Sequence, residues 1–321
     1  MELIYKPLIS AELEEVELNL INSINSDVQL ATEVSRYIVS SGGKRIRPVI
    51  CILVARALNY PGSELIRLAS SIELLHTATL IHDDVVDESL LRRGKESIQT
   101  KWDNAHGVLV GDFVYSKAFQ LMASFDNPEI IRALANATNR ISEGEVLQLS
   151  LKNETSLIKK DYFEIIERKT AELFKVSALT AGILSSSSDE QLKSLEKFST
   201  SLGVAFQIQD DILDYYGDES LTGKKLGKDF EEGKFTLPII IALEELDKEN
   251  KNNLLSLFKR GGKKDFLKVL DILENGNIFN QMQVIFDLYS KECKKELKKL
   301  PNNPYRDALE EIVTNLGSRL T

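Results

Sequence analysis

The stretch ELLHTATLIHDDVVD, residues 73–87, combines a helical pattern of apolar residues with three aspartates near its end. Asp83 and Asp87 are four residues apart and would share one helix face, where like charges destabilise a helix by about 0.2–0.5 kcal/mol per pair. Carboxylates beside apolar residues also carry a desolvation cost. The pattern therefore predicts a positively charged group between these aspartates.

A second copy of this acidic pattern lies in the stretch FQIQDDILD, residues 206–214. Oxygen-only ligands suit a hard divalent cation, and Mg²⁺ commonly combines one or two carboxylates with substrate phosphates. A single DDxxD is most often a solvated helix face, but two copies flanked by apolar residues indicate a shared role. The predicted metal ligands are Asp83, Asp84, Asp87, Asp210, Asp211 and Asp214.

The bulk composition is that of a globular protein, with 321 residues of which 43% are hydrophobic and 28% charged. The net charge of −9 argues against general nucleic-acid binding. Cys51 and Cys293 lack metal or CxxC spacing, which predicts free thiols in a reducing compartment and leaves one disulfide as the alternative. The N-terminus lacks signal-peptide features, and apolar runs such as residues 49–55 are too short to span a bilayer. We expect a cytoplasmic protein without a stable membrane anchor.

Apolar residues recur at three- and four-residue spacing almost throughout the chain, and only seven prolines interrupt it. Asn127 and Asn303 each precede a proline, which predicts a helix start, and Ser187 with Glu190 predicts a capping box. The predicted helices span residues 8–40, 44–58, 62–91, 104–125, 128–150, 159–184, 187–216, 233–247, 250–258, 263–274, 277–298 and 304–319. Because no Gly/Ser-rich or Pro-rich linker divides the chain, we expect one all-α domain over residues 1–321.

Further motifs stand in a fixed order around the two acidic patterns. They are GGKRIRP at residues 42–48, RRG at 92–94, Lys169-Thr170, Gly223-Lys224 and Gly233-Lys234. With the two DDxxD patterns, they make nearly the whole chain resemble the trans-isoprenyl diphosphate synthases, the polyprenyl synthetase family. Within that family, HTATLIHDDVVDES and EGEVLQ (residues 143–148) are most similar to the bacterial octaprenyl diphosphate synthases. The resemblance implies a single-domain, isoprenoid-synthase-type helical bundle with its active site in a central cavity, and a homodimer.

The resemblance also implies a reaction, in which isopentenyl diphosphate units are condensed onto an allylic diphosphate, here farnesyl diphosphate. The product would be a long, octaprenyl chain for a quinone side group. About three Mg²⁺ ions and nearby cations would draw the diphosphate from the allylic substrate. Such a mechanism stabilises the leaving group electrostatically in a site closed to water and needs no nucleophilic side chain.

The matching positions receive roles from the same resemblance. Lys44, Arg47, His76 and Arg93 would bind isopentenyl diphosphate. Arg92, Lys169, Thr170, Gln207, Lys224 and Lys234 would bind the allylic diphosphate, and Lys169, Thr170 and Gln207 would also assist catalysis. Cations at a helix start oppose the helix dipole, and guanidinium groups suit phosphate forks, so an anion would relieve a real cost. The segment EGEVLQ departs from the Gly-Gln-x-x-Asp pattern of short-chain members, which leaves metal contacts there open.

Three other interpretations compete with this one. A shorter-chain geranylgeranyl or farnesyl synthase would share the chemistry. A class I terpene cyclase would ionise one allylic diphosphate, but it would not need the cationic GGKRIRP motif for a second diphosphate. A non-catalytic regulatory subunit would be expected to lose one acidic pattern or the arginine pair, and both are intact here.

Product length should depend on the side chains below the first acidic pattern. Ala78 and Thr79 lie about one helical turn before Asp83 and leave room for a growing tail, although close helix packing also favours alanine. Leu121 and Met122 are the candidate floor of the tunnel. We predict that Ala78→Phe shortens the product, because the ring would block the tail; mass spectrometry of the products measures this, and an unchanged length would contradict it.

Overall fold

The computed structural model describes residues 5–151, 157–217 and 226–317, which form helices and one short β-hairpin. The helices are α1 (Tyr5–Ser23), α2 (Gln29–Val39), α3 (Ile46–Ala57), α4 (Glu64–Val86), α5 (Ile98–Lys101), α6 (Asn104–Ala123), α7 (Pro128–Ser150), α8 (Lys159–Ile166), a π-helical turn (Glu167–Ala171), α9 (Glu172–Leu184), α10 (Asp189–Tyr216), α11 (Lys228–Glu231), α12 (Leu237–Glu245), α13 (Lys248–Arg260), α14 (Lys263–Asn275), α15 (Ile278–Leu297) and α16 (Pro304–Gly317). Strands β1 (Leu91–Arg92) and β2 (Lys95–Glu96) form the hairpin. The predicted all-α class is confirmed.

Helix starts follow local capping chemistry. The Asn127 side chain accepts a hydrogen bond from the backbone of Glu129 (2.9 Å), and Asn303 accepts one from the backbone of Arg306 (3.1 Å), as predicted. The predicted capping box is wrong by one residue. Ser188 and Gln191 exchange the two bonds, at 3.0 and 3.3 Å, because the helix begins at Asp189, which makes Ser188 its N-cap.

Four predicted helices differ from the structure, and the one predicted at 159–184 is interrupted by the π-helical turn at Glu167–Ala171. The helix predicted at 8–40 is two helices, because the Ser26 backbone bonds to the Thr32 hydroxyl (2.9 Å) and interrupts the helical ladder. The helix predicted at 62–91 ends at Val86, since Glu88 has a positive φ of 50°. The helix predicted at 233–247 begins only at residue 237.

The chain divides into two compact units, and each unit consists of three sequence segments. The first unit comprises Met1–Thr138, Leu173–Glu196 and Lys298–Leu309. The second unit comprises Asn139–Glu172, Lys197–Leu297 and Glu310–Thr321. Because each unit combines early and late parts of the chain, no single cut would separate them, and the single-domain organisation stays a prediction.

In the first unit, α4 packs antiparallel against α6. Near the end of α4, Val85 lies 2.4 Å from the place that a Cβ on Gly107 would occupy. Near its start, the Arg67 guanidinium lies over the Phe125 ring at 4.7 Å. The glycine permits this close approach, and the two contacts fix the register of the helix pair. Helix α3 adds to this core, since residues 49–55 are all fully buried.

In the second unit, an aromatic cluster holds α11 against its neighbours. The ring of Phe230 packs against Phe258 at 4.9 Å and against Phe266 at 5.7 Å, and Phe266 also lies 5.9 Å from Tyr215 of α10. Tyr215 and Phe230 are almost fully buried. The cluster therefore fixes α11 in the second unit.

Two further expectations concern the cysteines and the membrane. Cys51 and Cys293 are both buried and form no disulfide, as predicted. Across the described parts of the chain, none of the helices combines the length and the apolar character needed to cross a bilayer.

We predict that Gly107→Ala lowers the free energy of unfolding by about 1–3 kcal/mol, because the new methyl group would overlap the Val85 side chain. In a Val85→Ala background the same change should cost much less, since the overlapping methyl is gone. Urea unfolding of the four proteins in this cycle measures the coupling. Equal costs in both backgrounds would contradict the contact.

Candidate functional site

The RRG motif forms the turn of the β-hairpin. Arg92 pairs with Lys95 across the two strands, which leaves Arg93 and Gly94 as a two-residue loop. Both have positive φ, 53° and 76°, as a type I′ turn requires. A Cβ on Gly94 would meet nothing within 4 Å, so the backbone conformation and not the available space favours glycine there. The turn places two arginines side by side at the end of α4.

Arg92 is bound to the first acidic pattern. Its Nε lies 2.9 and 3.1 Å from the two carboxylate oxygens of Asp84, and its Nη2 also bonds to that carboxylate. Burial lowers the pKa of Arg92, but the hydrogen bonds and charge of Asp84 raise it by more. Asp84 is only 2% exposed, so its charge is balanced within the protein. Asp83 and Asp87 lie half-buried on either side of it along α4.

A cationic cluster lies in the same unit. The Arg47 Nη1 lies 3.0 Å from His76 Nε2, and the Arg47 guanidinium stacks over the Phe174 ring at 4.9 Å. Burial, followed by the charges of Arg47 and Arg93, lowers the pKa of His76 well below 6.5, so the neutral imidazole accepts the hydrogen bond. Burial also lowers the pKa of Arg47 to about 10. The buried Arg47 Nε has no hydrogen-bond partner among the described residues, which fits a site awaiting an anion.

Arg93 completes this cluster. Its guanidinium atoms lie 2.7–2.8 Å from the place that a Cβ on Gly43 would occupy, so only glycine allows the loop to approach it. Burial and the charges of Arg45 and Arg92 lower the pKa of Arg93. Lys44, the next residue of the loop, is exposed. The structure therefore brings together Arg47, His76 and Arg93, with Lys44 on the adjoining loop.

In the second unit, Lys169 lies on the π-helical turn. Its Nζ donates to Glu145 Oε2 at 2.6 Å and to Gln148 Oε1 at 2.9 Å. A Cβ on Gly144 would lie 2.9 Å from the Lys169 backbone nitrogen, so the glycine lets α7 approach the turn. In the segment EGEVLQ, the two residues that depart from the short-chain pattern, Glu145 and Gln148, therefore both bind Lys169.

Thr170, the next residue of this turn, begins a hydrogen-bond chain. Its hydroxyl donates to Gln207 Oε1 (2.9 Å), and Gln207 Nε2 donates to Asp211 Oδ1 (2.9 Å). Tyr162 donates to Asp211 Oδ2 at 2.7 Å, and the backbone of Leu237 donates at 3.3 Å. Burial raises the pKa of Asp211 to about 7, although these hydrogen bonds oppose the shift. Asp211 is therefore the buried anchor of the second acidic pattern.

The other carboxylates of the second unit repel one another. Asp214 accepts bonds from the backbones of Lys228 (3.1 Å) and Asp229 (3.0 Å), which holds the start of α11. Burial, followed by the charges of Asp211 and Asp214, raises the pKa of Asp229 well above 3.8. Asp210 is exposed. A divalent cation would relieve this accumulation of negative charge.

Two predicted lysines follow this acidic segment. Lys234 forms an ion pair with Glu232 (2.8 Å), and its charge opposes the shift at Asp229. Lys224 lies outside the described residues.

Each acidic pattern has the same layout within its own unit. The second aspartate is buried and bound by protein donors, while the first is half-buried or exposed. Among the described residues, no three His, Cys, Asp or Glu side chains form a ready-made metal cage. This donor set fits Mg²⁺, which commonly takes one or two carboxylates and completes its shell with water and substrate phosphates.

The candidate chain-length residues lie on facing helices of the first unit. Ala78 on α4 and Met122 on α6 are almost fully buried, and Thr79 and Leu121 are half-buried. The wall and floor candidates therefore belong to one helix pair.

Sequence reasoning missed three residues of these sites. Glu73 is buried within α4, Tyr162 binds Asp211, and Asp229 lies within the field of the second acidic pattern. A glutamate inside the apolar stretch of α4 is a signal for a buried ion pair, since an isolated buried charge is costly. Tyr162 and Asp229 carry no comparable local signal.

Comparisons with known proteins cover nearly the whole chain. The polyprenyl synthetase family profile matches residues 28–273. Octaprenyl diphosphate synthase of Escherichia coli (strain K12) is 40% identical over 305 residues, 94% of each chain. All-trans-nonaprenyl-diphosphate synthase (geranyl-diphosphate specific) of Rhodobacter capsulatus is 39% identical over 290 residues, 90% of this chain and 89% of that one.

Solved structures give a similar result. A polyprenyl synthase from Caulobacter crescentus CB15, complexed with calcium and isoprenyl diphosphate, superposes with a TM-score of 0.93 at 33% identity, covering 99% of this chain and 98% of that one. A decaprenyl diphosphate synthase from Rhodobacter capsulatus gives a TM-score of 0.92 at 32% identity, covering 98% of each chain.

The pH dependence of stability should report the burial of Asp211. Its pKa is about 7 in the folded chain against 3.8 ordinarily, so the folded state binds a proton that the unfolded state lacks between these values. In metal-free protein, wild type should therefore gain up to about 1.4 kcal/mol per pH unit relative to Asp211→Asn as pH falls from 7 to 4. Urea unfolding of both proteins across this range measures the difference, and parallel profiles would contradict it.

Proposed function

Because this chain belongs to the polyprenyl synthetase family, we propose that it is a trans-prenyltransferase that condenses isopentenyl diphosphate with an allylic diphosphate. Its product is a long polyprenyl diphosphate, as for the Escherichia coli and Rhodobacter capsulatus relatives. The isoprenoid-synthase-type all-α fold predicted from the sequence is confirmed by the solved structures. We propose that the product has the octaprenyl length and that farnesyl diphosphate is the primer. The product would serve as a quinone side group.

One observation carries this proposal: the hairpin turn supplies neighbouring arginines to two different anion sites. Arg92 donates hydrogen bonds to Asp84 of the first acidic pattern, where the metal-bound allylic diphosphate would lie. Arg93 belongs to the cationic cluster with Arg47 and His76. An enzyme that ionises a single diphosphate has no use for the second, metal-independent cluster. Two adjacent anion sites of different character fit a condensation of two diphosphate substrates and argue against a terpene cyclase.

The chemistry follows from these two sites. The bond between C1 of the allylic substrate and its diphosphate oxygen breaks, and the leaving group carries away the electron pair. The double bond of isopentenyl diphosphate supplies the electrons for a new bond from its C4 to that C1. The proton then lost from its C2 goes to the departing diphosphate, so the balance needs neither an oxidant nor a nucleophilic side chain.

The aspartates would hold Mg²⁺ ions, which supply positive charge to the leaving group when bound. The similar Caulobacter crescentus protein was solved with calcium and isoprenyl diphosphate, which supports a divalent cation beside the substrate. Of the six predicted ligands, we assign the half-buried or exposed Asp83, Asp87 and Asp210 as direct ligands, and Asp214 as a ligand that also holds the start of α11. The second aspartates, Asp84 and Asp211, keep their protein partners and orient the segment around them.

Arg92 contributes a fixed guanidinium that can bind the allylic diphosphate without first being ordered. Its two-nitrogen contact with Asp84 restricts the side chain, so less entropy is lost on binding. Arg47, His76, Arg93 and Lys44 bind isopentenyl diphosphate in this proposal. The roles of Lys169, Thr170, Gln207, Lys224 and Lys234 toward the allylic diphosphate rest on the family resemblance alone.

We propose a homodimer and a cytoplasmic location. Helix α6 exposes Val108, Leu109 and Phe119, which are 45%, 66% and 38% accessible, and such apolar side chains suit a subunit interface. The two buried, unpaired cysteines suit a reducing compartment. Isopentenyl and allylic diphosphates are the small-molecule partners in this proposal.

The deciding experiment is a product assay on purified protein with Mg²⁺, labelled isopentenyl diphosphate and farnesyl diphosphate. We predict a ladder of products that ends near the octaprenyl length and disappears when the metal is chelated. Geranyl diphosphate, tested in parallel, identifies the preferred primer. A ladder that stops at geranylgeranyl length would support a short-chain synthase, and absence of any elongation would support a regulatory subunit.

Within this assay, Arg93→Gln should raise the KM for isopentenyl diphosphate about 10–100-fold, the usual effect of losing a charged hydrogen bond. Arg36→Gln is the matched control, since Arg36 is an exposed arginine of the same unit whose guanidinium donates to Asn25 Oδ1 at 2.7 Å. Equal effects of the two changes would contradict the assignment of Arg93.

A further inference from the structure

Arg45 lies in the middle of the GGKRIRP motif and its side chain is directed into the protein, whereas the preceding Lys44 is exposed. Arg45 is 8% exposed, and its guanidinium binds Glu17 at 2.6 and 3.0 Å, Glu73 at 2.9 Å and the Val39 carbonyl at 2.8 Å. Its backbone has a left-handed φ of 47° and stands directly before α3. The side-chain contacts therefore fix the point at which the loop enters the helix.

The positions of two arginines of the cationic cluster, Arg93 and Arg47, depend on where the loop enters α3. Gly43 lies two residues before Arg45 and packs against the Arg93 guanidinium. Arg47 lies two residues after it, in the first turn of α3, and bonds to His76. A shift of Arg45 would move both groups.

Glu73 holds Arg45 from α4. It is 2% exposed, and it stands three residues before His76, so one helix presents both the counter-ion and a member of the cluster. Burial lowers the pKa of Arg47 and of Arg93, and the Glu73 carboxylate is the largest opposing influence in both cases. One buried carboxylate therefore acts on three arginines of the motif region.

We infer that Glu73 is a positioning residue for isopentenyl diphosphate: its ion pair with Arg45 sets the loop and helix start that place Arg93 and Arg47 for the diphosphate. This inference rests on the proposed function. In this inference Arg45 orders the site from inside the protein, and Lys44 and Arg47 bind the ligand.

The test compares Glu73→Gln with Glu12→Gln. Glu12 is a matched control because it pairs with Arg56 across α1 and α3 at 2.9 Å, away from the cluster. Glu73→Gln should raise the KM for isopentenyl diphosphate about tenfold, and leave kcat and the KM for the allylic substrate within about twofold, because the charge that orders the subsite is removed. Glu12→Gln should change none of the three. Equal KM values for Glu73→Gln and wild type would overturn the inference.

A second variant separates positioning from fold stability. Replacing a buried ion pair by apolar residues of similar size commonly preserves stability, so the double change Arg45→Met with Glu73→Leu should fold. If Glu73 positions the subsite, this folded double variant keeps the raised KM for isopentenyl diphosphate; a wild-type KM would reduce Glu73 to a structural role. Glu17→Gln, at the half-exposed partner of Arg45, should raise the same KM by a smaller factor.

Binding without turnover distinguishes this inference from the proposed function. Isopentenyl diphosphate alone should raise the Tm of wild type and of Glu12→Gln, and should raise it less in Glu73→Gln. If the proteins show this pattern of Tm shifts but wild type elongates nothing, the positioning role is supported and the proposed reaction is contradicted. A chain that elongates normally, with equal Tm shifts in all three proteins, would retain the reaction and lose the positioning role.

Discussion

Charges embedded in apolar helices need protein groups that stabilise them, and this constraint governs both units of the chain. In the first unit, Asp84 is balanced by Arg92 and Glu73 by Arg45, all within the protein. The charges that remain at the end of α4 are then of two kinds, an acidic face and a cationic cluster. Internal pairing thus orders both regions, and in the proposed function Arg92 binds the allylic diphosphate while its contact with Asp84 is kept.

The second unit meets the same constraint differently. Among the described residues, the side chain of Asp211 is held by the hydroxyl of Tyr162, the amide of Gln207 and a backbone N–H, and not by an arginine. Neutral donors leave the negative charge in place, and burial raises its pKa to about 7. The surrounding carboxylates therefore repel one another, and a bound metal ion would relieve this repulsion. Such an arrangement suits a site that assembles only with substrate.

Backbone geometry at a few residues gives these charges their positions. The type I′ turn at Arg93 and Gly94 places the arginine pair, and the π-helical turn carries Lys169 and Thr170. Gly43 and Gly144 allow close approach of a loop and of a helix. A π-helical turn and a two-residue hairpin each depart from the regular helix, and such departures are frequent at functional sites.

The sequence by itself determined the all-α class, most helix positions, the two acidic patterns and the cations beside them, because helical periodicity and motif spacing are local properties. It also identified Arg47, His76 and Arg93, which the structure places together. Only the tertiary structure decided that Asp84 and Asp211 are buried, that Arg45 is directed inward and that Glu73 balances it. Such pairings join residues far apart in the chain, and their strength depends on burial, which no local pattern encodes.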